Sequence, residues 1–187
     1  TVHVLLERSE IRSTTTLVVQ AATGGVGLHS MEYARWLRAG VLGTAGQKQK
    51  HGLLRWMGVE WLCSSRNGSA FAVGAARQPE AERMHAVLNS LSLDFIAASF
   101  ALLCEGGAFE EIGKRGIWAS ERYLASAPST SYCAIALDAD MALDPVWMHG
   151  VLALLATRAG AGAATSLPVQ SFDMASQHEL AFRTLQG

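Results

Sequence analysis

The chain has 187 residues, of which 50% are hydrophobic and 17% are charged, and its formal net charge is -1 at pH 7. This length fits about one domain, or one and a half, and the composition allows a large buried core. The near-neutral charge disfavours non-specific attraction to nucleic acid or to an anionic membrane, so we expect neither as a partner.

Strand and helix patterns alternate over the first part of the chain. Residues 14–21 are β-branched and apolar without alternation, which is typical of a strand buried on both faces. Three glycines follow this strand and precede a helical apolar pattern. The predicted elements are a helix over 1–11, a strand over 14–21, a helix ending near 38, a strand over 40–44, a helix over 48–57 and a strand over 61–63.

The later part of the chain continues this alternation. Segment 64–83 is polar with room for a short helix over 70–76, and segment 118–130 is polar and irregular. Asp144 and Pro145 suit the cap and the first turn of a long apolar helix. The predicted elements are strands over 84–88, 108–112 and 132–137, helices over 95–103 and 145–158, a stop at Gly106-Gly107, a loop over 160–164 and a last helix through 185. The alternation predicts an α/β fold, a Rossmann-type doubly wound parallel sheet with right-handed crossovers.

The strongest local signal is the stretch Ala-Ala-Thr-Gly-Gly-Val-Gly at 21–27, between a predicted strand and a predicted helix. A dinucleotide site needs this arrangement, because glycine lets the backbone approach a pyrophosphate and the helix N-terminus offers free N–H groups. The stretch has no lysine followed by serine or threonine, so it is not a P-loop. An ordinary strand-to-helix turn is the alternative interpretation. The residues predicted to hold the pyrophosphate are Ala22, Thr23, Gly24, Gly25, Val26 and Gly27.

The end of the second predicted strand indicates which dinucleotide is bound. Dinucleotide-binding folds usually place an acid there, which accepts a hydrogen bond from the ribose of NAD. Here Thr44 begins a small, uncharged run, and Lys48, Lys50 and Arg66 follow it. An acid would repel a 2′-phosphate, whereas cations would form charge-assisted hydrogen bonds with it. We therefore predict NADPH, with solvated surface cations as the alternative interpretation.

Other chemistry-bearing residues give weaker signals. The three cysteines form no CxxC pair, which favours reduced thiols in a cytoplasmic protein over a disulfide framework. The six histidines show no metal-ligand spacing, so we expect no metal. Glu110 and Glu111 are adjacent on a predicted strand and point to opposite faces, so they form a poor paired-carboxylate site. The apolar stretch 150–155 is too short to span a bilayer.

Several motifs, in order and spacing, resemble a known family. They are AATGGVG at 21–27, SSR at 64–66, VLNSL at 87–91, EIGKR at 111–115 and AFR at 181–183. This set resembles the enoyl reductase domains of modular polyketide synthases and animal fatty acid synthase, in the zinc-free branch of the medium-chain dehydrogenase/reductase superfamily. The resemblance implies NADPH-dependent reduction of an α,β-enoyl thioester to a saturated acyl thioester. It also implies an acyl carrier protein-bound substrate and neighbouring synthase domains as partners.

The resemblance also assigns a place to the cofactor. The glycine stretch would hold the pyrophosphate, and Lys50 and Arg66 would bind the 2′-phosphate. The Asn-Ser-Leu turn would lie beside the nicotinamide. Outside the glycine stretch, the cofactor-binding residues are therefore Thr44, Lys50, Arg66, Asn89, Ser90, Leu91 and Gly113.

The resemblance offers two proton donors, Lys114 of the Ile-Gly-Lys motif and Asp138, which follows the next predicted strand. A lysine near a developing enolate is suited to donate a proton and to stabilise negative charge. Asp140 is a less favoured candidate. A surface lysine at a strand end and an aspartate capping a helix or turn are the alternative interpretations.

The chain also departs from the family pattern. Gly116 stands where the family usually has an aspartate after Lys-Arg. We expect a fragment, with a nucleotide-binding subdomain over 1–143 and C-terminal helices over 144–187 that contribute only part of the flanking substrate-binding subdomain. Such a fragment alone can be inactive. The alternative functions are a quinone oxidoreductase-like enzyme and a non-catalytic, cofactor-binding or structural remnant of an enoyl reductase.

Overall fold

A computed structural model of the chain describes residues 1–78, 84–92, 94–165, 167 and 169–186. The end of the predicted polar segment 64–83 and the last residue, Gly187, lie outside the described residues. The strands are β1 (Thr16–Val19), β2 (Gly40–Ala45), β3 (Trp61–Ser64), β4 (Met84–Asn89), β5 (Leu103–Glu111) and β6 (Ser131–Ala134). The helices are α1 (Val2–Arg8), α2 (Gly25–Leu37), α3 (Lys48–Trp56), α4 (Gly68–Ala76), α5 (Asp94–Phe100), α6 (Ser120–Ser126), α7 (Leu137–Leu143), α8 (Pro145–Gly160) and α9 (His178–Gln186).

The strands form one sheet in the order β3-β2-β1-β4-β5-β6, and each neighbouring pair is parallel. This is the strand order of the dinucleotide-binding α/β fold, so the predicted Rossmann-type sheet is confirmed. The chain order reverses between β1 and β4, where open α/β sheets bind ligands beyond the carboxyl ends of their strands. A ligand site is therefore expected between the segments that follow β1 and β4.

Hydrophobic layers cover both faces of the sheet, which explains the continuous apolar runs of the central strands. In β1, Leu17 and Val19 belong to the layer that contains α1 and α2 residues, whereas Val18 belongs to the opposite layer. The opposite layer includes Phe71 of α4 and Phe109 of β5, both fully buried. Because all four residues of β1 are buried, the strand holds the glycine stretch that follows it in a fixed position.

The region around β5 corrects two predictions. Helix α5 ends at Phe100 rather than at 103, and β5 begins at Leu103, so Gly106-Gly107 lies within the strand and is not a stop. The pairing of β4 with β5 shifts register between Met84 and Ala86, and Gly106 has a φ of +74°. Glycine adopts this left-handed conformation without strain, which lets the strand pass through an irregular turn and continue.

The segment after β5 also differs from the prediction. Segment 118–130 is not wholly irregular, because α6 forms there, and the predicted strand over 132–137 ends at Ala134. Trp118 and Tyr123 of this segment stack on Phe100 at centroid separations of 5.2 and 6.5 Å. This packing between distant parts of the chain stabilises a helix that local sequence does not indicate.

Helix α7 occupies the end of the predicted strand over 132–137 and places Asp138 in its first turn. The following helix begins as predicted. Asp144 caps α8, since its Oδ1 accepts a hydrogen bond of 2.8 Å from the backbone N–H of Trp147, and Pro145 occupies the first turn. Most of α8 is exposed, and Val151 is its buried residue.

Candidate functional site

The glycine stretch forms a tight turn between β1 and the first turn of α2. The backbone N–H of Gly24 donates to the carbonyl of Ala21 at 2.8 Å, and α2 begins directly after Gly24. A Cβ on Gly27 would lie 2.5 Å from the carbonyl carbon of Ala22. Only glycine therefore allows α2 to pack this closely against the end of β1, as a dinucleotide-binding turn requires.

Thr44 supports this turn from the neighbouring strand. Its Oγ1 accepts a hydrogen bond from the Ala21 N–H and donates one to Gln20 Oε1, each at 2.9 Å, and its carbonyl accepts from the Ala22 N–H at 2.9 Å. Gln20 Nε2 donates in turn to Ser99 Oγ at 3.0 Å. Thr44 is fully buried beneath the turn, so its hydroxyl is engaged by protein groups. Sequence reasoning missed Gln20 and Ser99, which no motif indicates.

A cleft of about 210 Å³ opens above the glycine stretch at the switch point of the sheet. It is bordered by the first turn of α2, by Ser90 after β4 and by Ile112 after β5. Ser90 Oγ donates to the carbonyl of Gln20 at 3.2 Å, which joins the turn after β4 to the end of β1. The structure thus brings the glycine stretch and Ser90 to the same cleft.

The cations predicted to bind a 2′-phosphate follow two adjacent strands. Lys50 lies in the first turn of α3, directly after β2, and Arg66 lies just after β3. Because Ala45 pairs with Ser64 in parallel register, both cations follow the carboxyl edge of the sheet. The side chain of Arg66 lies against Gly46, where a Cβ would approach Arg66 Cδ to 3.1 Å and collide with Nε. Gly46 therefore provides the space that Arg66 occupies.

A buried carboxylate joins the turns after β4 and β5. Glu111 Oε2 accepts a hydrogen bond from Asn89 Nδ2 at 2.8 Å, and Glu111 Oε1 accepts one from the Gly113 N–H at 2.6 Å. Asn89 Nδ2 also donates to the carbonyl of Leu91 at 2.7 Å. Burial raises the pKa of Glu111, and the two N–H donors oppose this shift by favouring the charged form. The sequence indicates Glu111 only as half of a poor carboxylate pair with Glu110 and as the first residue of the EIGKR motif, and it does not reveal these contacts.

The two candidate proton donors are exposed and follow adjacent strands. Lys114 lies in the turn after β5, and Asp138 lies in the first turn of α7, shortly after β6. The less favoured Asp140 forms an ion pair of 3.2 Å with Arg8 of α1. The structure therefore leaves the Lys114 and Asp138 side chains exposed in the segments that follow β5 and β6, while Asp140 is engaged by a cation.

In the part of the chain that the structure describes, no group of three or more His, Cys, Asp or Glu side chains is arranged to hold a metal ion. Within the same residues, no helix is both long and apolar enough to cross a membrane.

Comparison with known proteins gives the site its context. No family model matches the chain. A phenolphthiocerol/phthiocerol polyketide synthase protein of Mycobacterium tuberculosis is 30% identical over 174 residues, which cover 92% of this chain and 8% of that protein. The chain thus corresponds to a small part of a much longer relative.

Two solved structures show which kind of domain the chain resembles. The CurK enoyl reductase superposes with a TM-score of 0.87 at 28% identity, over 99% of this chain and 55% of that one. The nucleotide-binding subdomain of the enoyl reductase domain of PpsC from Mycobacterium tuberculosis superposes with a TM-score of 0.75 at 26% identity, over 89% of this chain and 98% of that subdomain.

The strand order, the glycine turn and these similarities define a Rossmann-type domain related to oxidoreductases. More particularly, the chain is a homologue of the enoyl reductase domains of polyketide synthases, as its motifs predicted.

Proposed function

We propose that the chain is the cofactor-binding part of an NADPH-dependent enoyl reductase in a cytoplasmic polyketide synthase. The observation that carries the proposal is the pair of glycine-dependent contacts at the carboxyl edge of the sheet. Gly27 allows α2 to approach β1, and Gly46 allows Arg66 to lie at the end of β2. A polyketide synthase relative and two enoyl reductase structures that share this fold support the assignment.

The residues of the site suit a dinucleotide phosphate. The first turn of α2 presents unpaired backbone N–H groups and the positive end of the helix dipole, which attract a pyrophosphate. Lys50 and Arg66 would hold the 2′-phosphate, and no acidic residue directly follows β2 to repel it. The turn of Asn89, Ser90 and Leu91 would contact the nicotinamide end, and Gly113 would line the same end.

When bound, NADPH supplies a hydride, which reduces the β-carbon of an α,β-enoyl thioester. The chain's own residues would manage the charge and the proton. Lys114 would stabilise the negative charge that develops on the thioester oxygen, and Lys114 or Asp138 would donate the proton that the α-carbon takes up. An acyl carrier protein would present the thioester, and neighbouring synthase domains would flank the reductase.

A pair of measurements tests the proposal. Calorimetric titration of the chain should show saturable binding of NADPH that is tighter than binding of NADH, and absence of any binding would refute it. Reduction should then be assayed by NADPH absorbance with a crotonyl thioester, using the chain within its full-length protein and a quinone as a parallel substrate. Preference for the quinone would favour a quinone oxidoreductase-like enzyme. Cofactor binding without turnover of either substrate would favour a non-catalytic remnant.

A further inference from the structure

The carboxylate of Glu111 lies at the junction of two turns that the proposed function places against the cofactor. Its side chain is 1% exposed, and its two oxygens accept from Asn89 Nδ2 and from the Gly113 N–H at 2.8 and 2.6 Å. A Cβ on Gly113 would lie 2.6 Å from Glu111 Oε1. The carboxylate therefore folds back onto the turn that leads directly to Lys114.

The same contacts extend to the turn after β4. Asn89 Nδ2 donates both to Glu111 and to the carbonyl of Leu91, so one amide group fixes the shape of the 89–91 turn. The carbonyl of Asn89 accepts from the Ile112 N–H at 2.8 Å and from the Gly113 N–H at 3.3 Å. The two turns are thus tied together by both side-chain and backbone hydrogen bonds.

We propose that Glu111 is a positioning residue that sets the spacing between the 89–91 turn and the 112–114 turn, and thereby shapes the nicotinamide end of the site. This inference rests on the proposed function. The carboxylate is suited to the task because it can accept at both oxygens, whereas an amide accepts at one end and donates at the other. Glu111 acts through the turns it holds and does not itself meet the substrate.

The neighbouring Glu110 provides a matched control. It is also buried, at 2% exposed, but it points to the opposite face of β5. Its Oε1 accepts a hydrogen bond from Ser9 Oγ at 3.2 Å. Ser9 directly follows α1, whose residues belong to the other hydrophobic layer. Replacing either glutamate with glutamine removes a buried carboxylate from the same strand, so the two variants differ mainly in which face of the sheet they alter.

The experiment compares two nucleotides on three proteins. NADPH contains the nicotinamide end, whereas 2′,5′-ADP contains only the adenosine end with its phosphates. Glu111→Gln turns an amide N–H donor towards one of the two N–H groups that the carboxylate accepts from, so one turn must shift. The variant should therefore weaken NADPH about tenfold and should leave 2′,5′-ADP nearly unchanged. Glu110→Gln should leave both affinities at the wild-type level.

Each outcome has a distinct meaning. If wild-type protein binds neither nucleotide, the proposed function fails. If wild type binds both and Glu111→Gln matches Glu110→Gln, or weakens both nucleotides equally, only the positioning role of Glu111 is overturned.

An NMR titration of wild-type protein tests the same role without a variant. Saturation with NADPH should shift the backbone amide of Gly113 and the side-chain amide of Asn89, and 2′,5′-ADP should leave both in place. Equal shifts with both nucleotides, or none with NADPH, would contradict the assignment.

Discussion

At the residue scale, β2 is followed by Gly46, and Arg66 from the turn after β3 lies against it, where NAD-binding folds usually carry an acid. The guanidinium of Arg66 has room there because Gly46 has no side chain. Arginine offers a planar set of donors that matches a phosphate, and lysine adds a point charge. The proposed preference for NADPH therefore depends on Arg66 and Lys50 together.

Removing either cation should affect the binding of NADPH more than the binding of NADH. Arg66→Ala and Lys50→Ala should each weaken NADPH by about 1–3 kcal/mol, the range for a hydrogen bond to a charged group, and should change NADH much less. Arg55→Ala is the matched control, because Arg55 lies in the last turn of α3, at the other end of the helix from Lys50. Calorimetric titration with both cofactors checks the prediction, and equal losses for NADPH and NADH would contradict the 2′-phosphate assignment.

Two glycines give opposite expectations for the same substitution. Gly27→Ala places a Cβ 2.5 Å from the backbone of Ala22, so α2 must move away from β1. Overpacking of this kind should destabilise the fold by about 1–3 kcal/mol and should weaken the nucleotide. A Cβ on Gly52, inside α3, would meet nothing within 4 Å, so Gly52→Ala should stabilise by about 0.5–1 kcal/mol. Urea denaturation of the two variants measures both effects, and a neutral Gly27→Ala would show that the helix can shift freely.

At the element scale, β5 shows how a strand with adjacent acids can be buried on both faces. Glu110 faces the layer that contains α1, where it meets Ser9, and Glu111 faces Asn89. Burial raises the pKa of both side chains above the ordinary value of 4.5. The native protein therefore retains these protons to higher pH than the unfolded chain does.

This shift predicts how stability changes with pH. Between pH 4.5 and the raised pKa of Glu110, the native state binds more protons than the unfolded state, so unfolding becomes easier as pH rises through this window. Glu110→Gln keeps an oxygen acceptor for Ser9 and removes the charge. Its stability relative to wild type should be more favourable at pH 8 than at pH 4.5. Urea denaturation at the two pH values tests this. If the variant and wild type differed in free energy of unfolding by the same amount at both pH values, the raised pKa of Glu110 would not be the cause.

The same strand shows what sequence could and could not predict. Residues 17–19 of β1 and 86–88 of β4 are consecutive apolar residues that are all buried, so the positions of these strands follow from local pattern, and the glycine turn follows from spacing. The predicted start of β5 at residue 108 is wrong, because Gly106-Gly107 predicts a stop from local pattern, whereas pairing with β4 begins at Leu103 and the strand continues through both glycines. Helix α6 was missed because Trp118 and Tyr123 find Phe100 only in the folded chain.

Some residues of the candidate site can likewise be predicted from the sequence, and others cannot. Residues that need a special backbone, such as Gly27, are visible in sequence because no other residue type fits. The contact of Glu111 with Asn89 is not visible in the sequence, because the two residues are 22 positions apart. Buried polar contacts between strands carry no local pattern, so they become visible only when the register of β4 and β5 is known.

At the scale of the whole molecule, the C-terminal segment meets the sheet domain through apolar packing of Leu155 and Ala164 and through several polar contacts. Arg158 of α8 donates to His3 Nδ1 at 2.7 Å and lies over the rings of Tyr33 and Trp36 at 5.7 and 5.1 Å. Farther along, the Thr165 N–H donates to Glu32 Oε1 at 2.6 Å. The predicted division between 1–143 and 144–187 stays a prediction, and these contacts are where it can be tested.

Arg158 also changes the pKa of His3 and so the dependence of stability on pH. A guanidinium only donates, so His3 Nδ1 accepts and the ring carries its proton on Nε2, which lies 3.3 Å from Glu7 Oε2. Burial and the charge of Arg158 lower the pKa of His3 below 6.5. The unfolded chain then takes up a proton more readily than the native protein, so this contribution to stability is complete above pH 6.5 and is lost as pH falls below it.

Arg158→Ala should loosen α8 and should also weaken this pH dependence. Limited proteolysis should cut the segment around α8 faster than in wild type, and NMR titration should show the pKa of His3 moving up towards 6.5, with some depression left by burial. Arg183→Ala is the control, because the Arg183–Glu179 pair of 3.5 Å is largely exposed and such pairs contribute only about 0–1 kcal/mol. If Arg158→Ala matched the control in both proteolysis and the titration of His3, Arg158 would not be the residue that holds α8 against α1 and α2. Other contacts would then hold the segment 144–187 on the sheet domain.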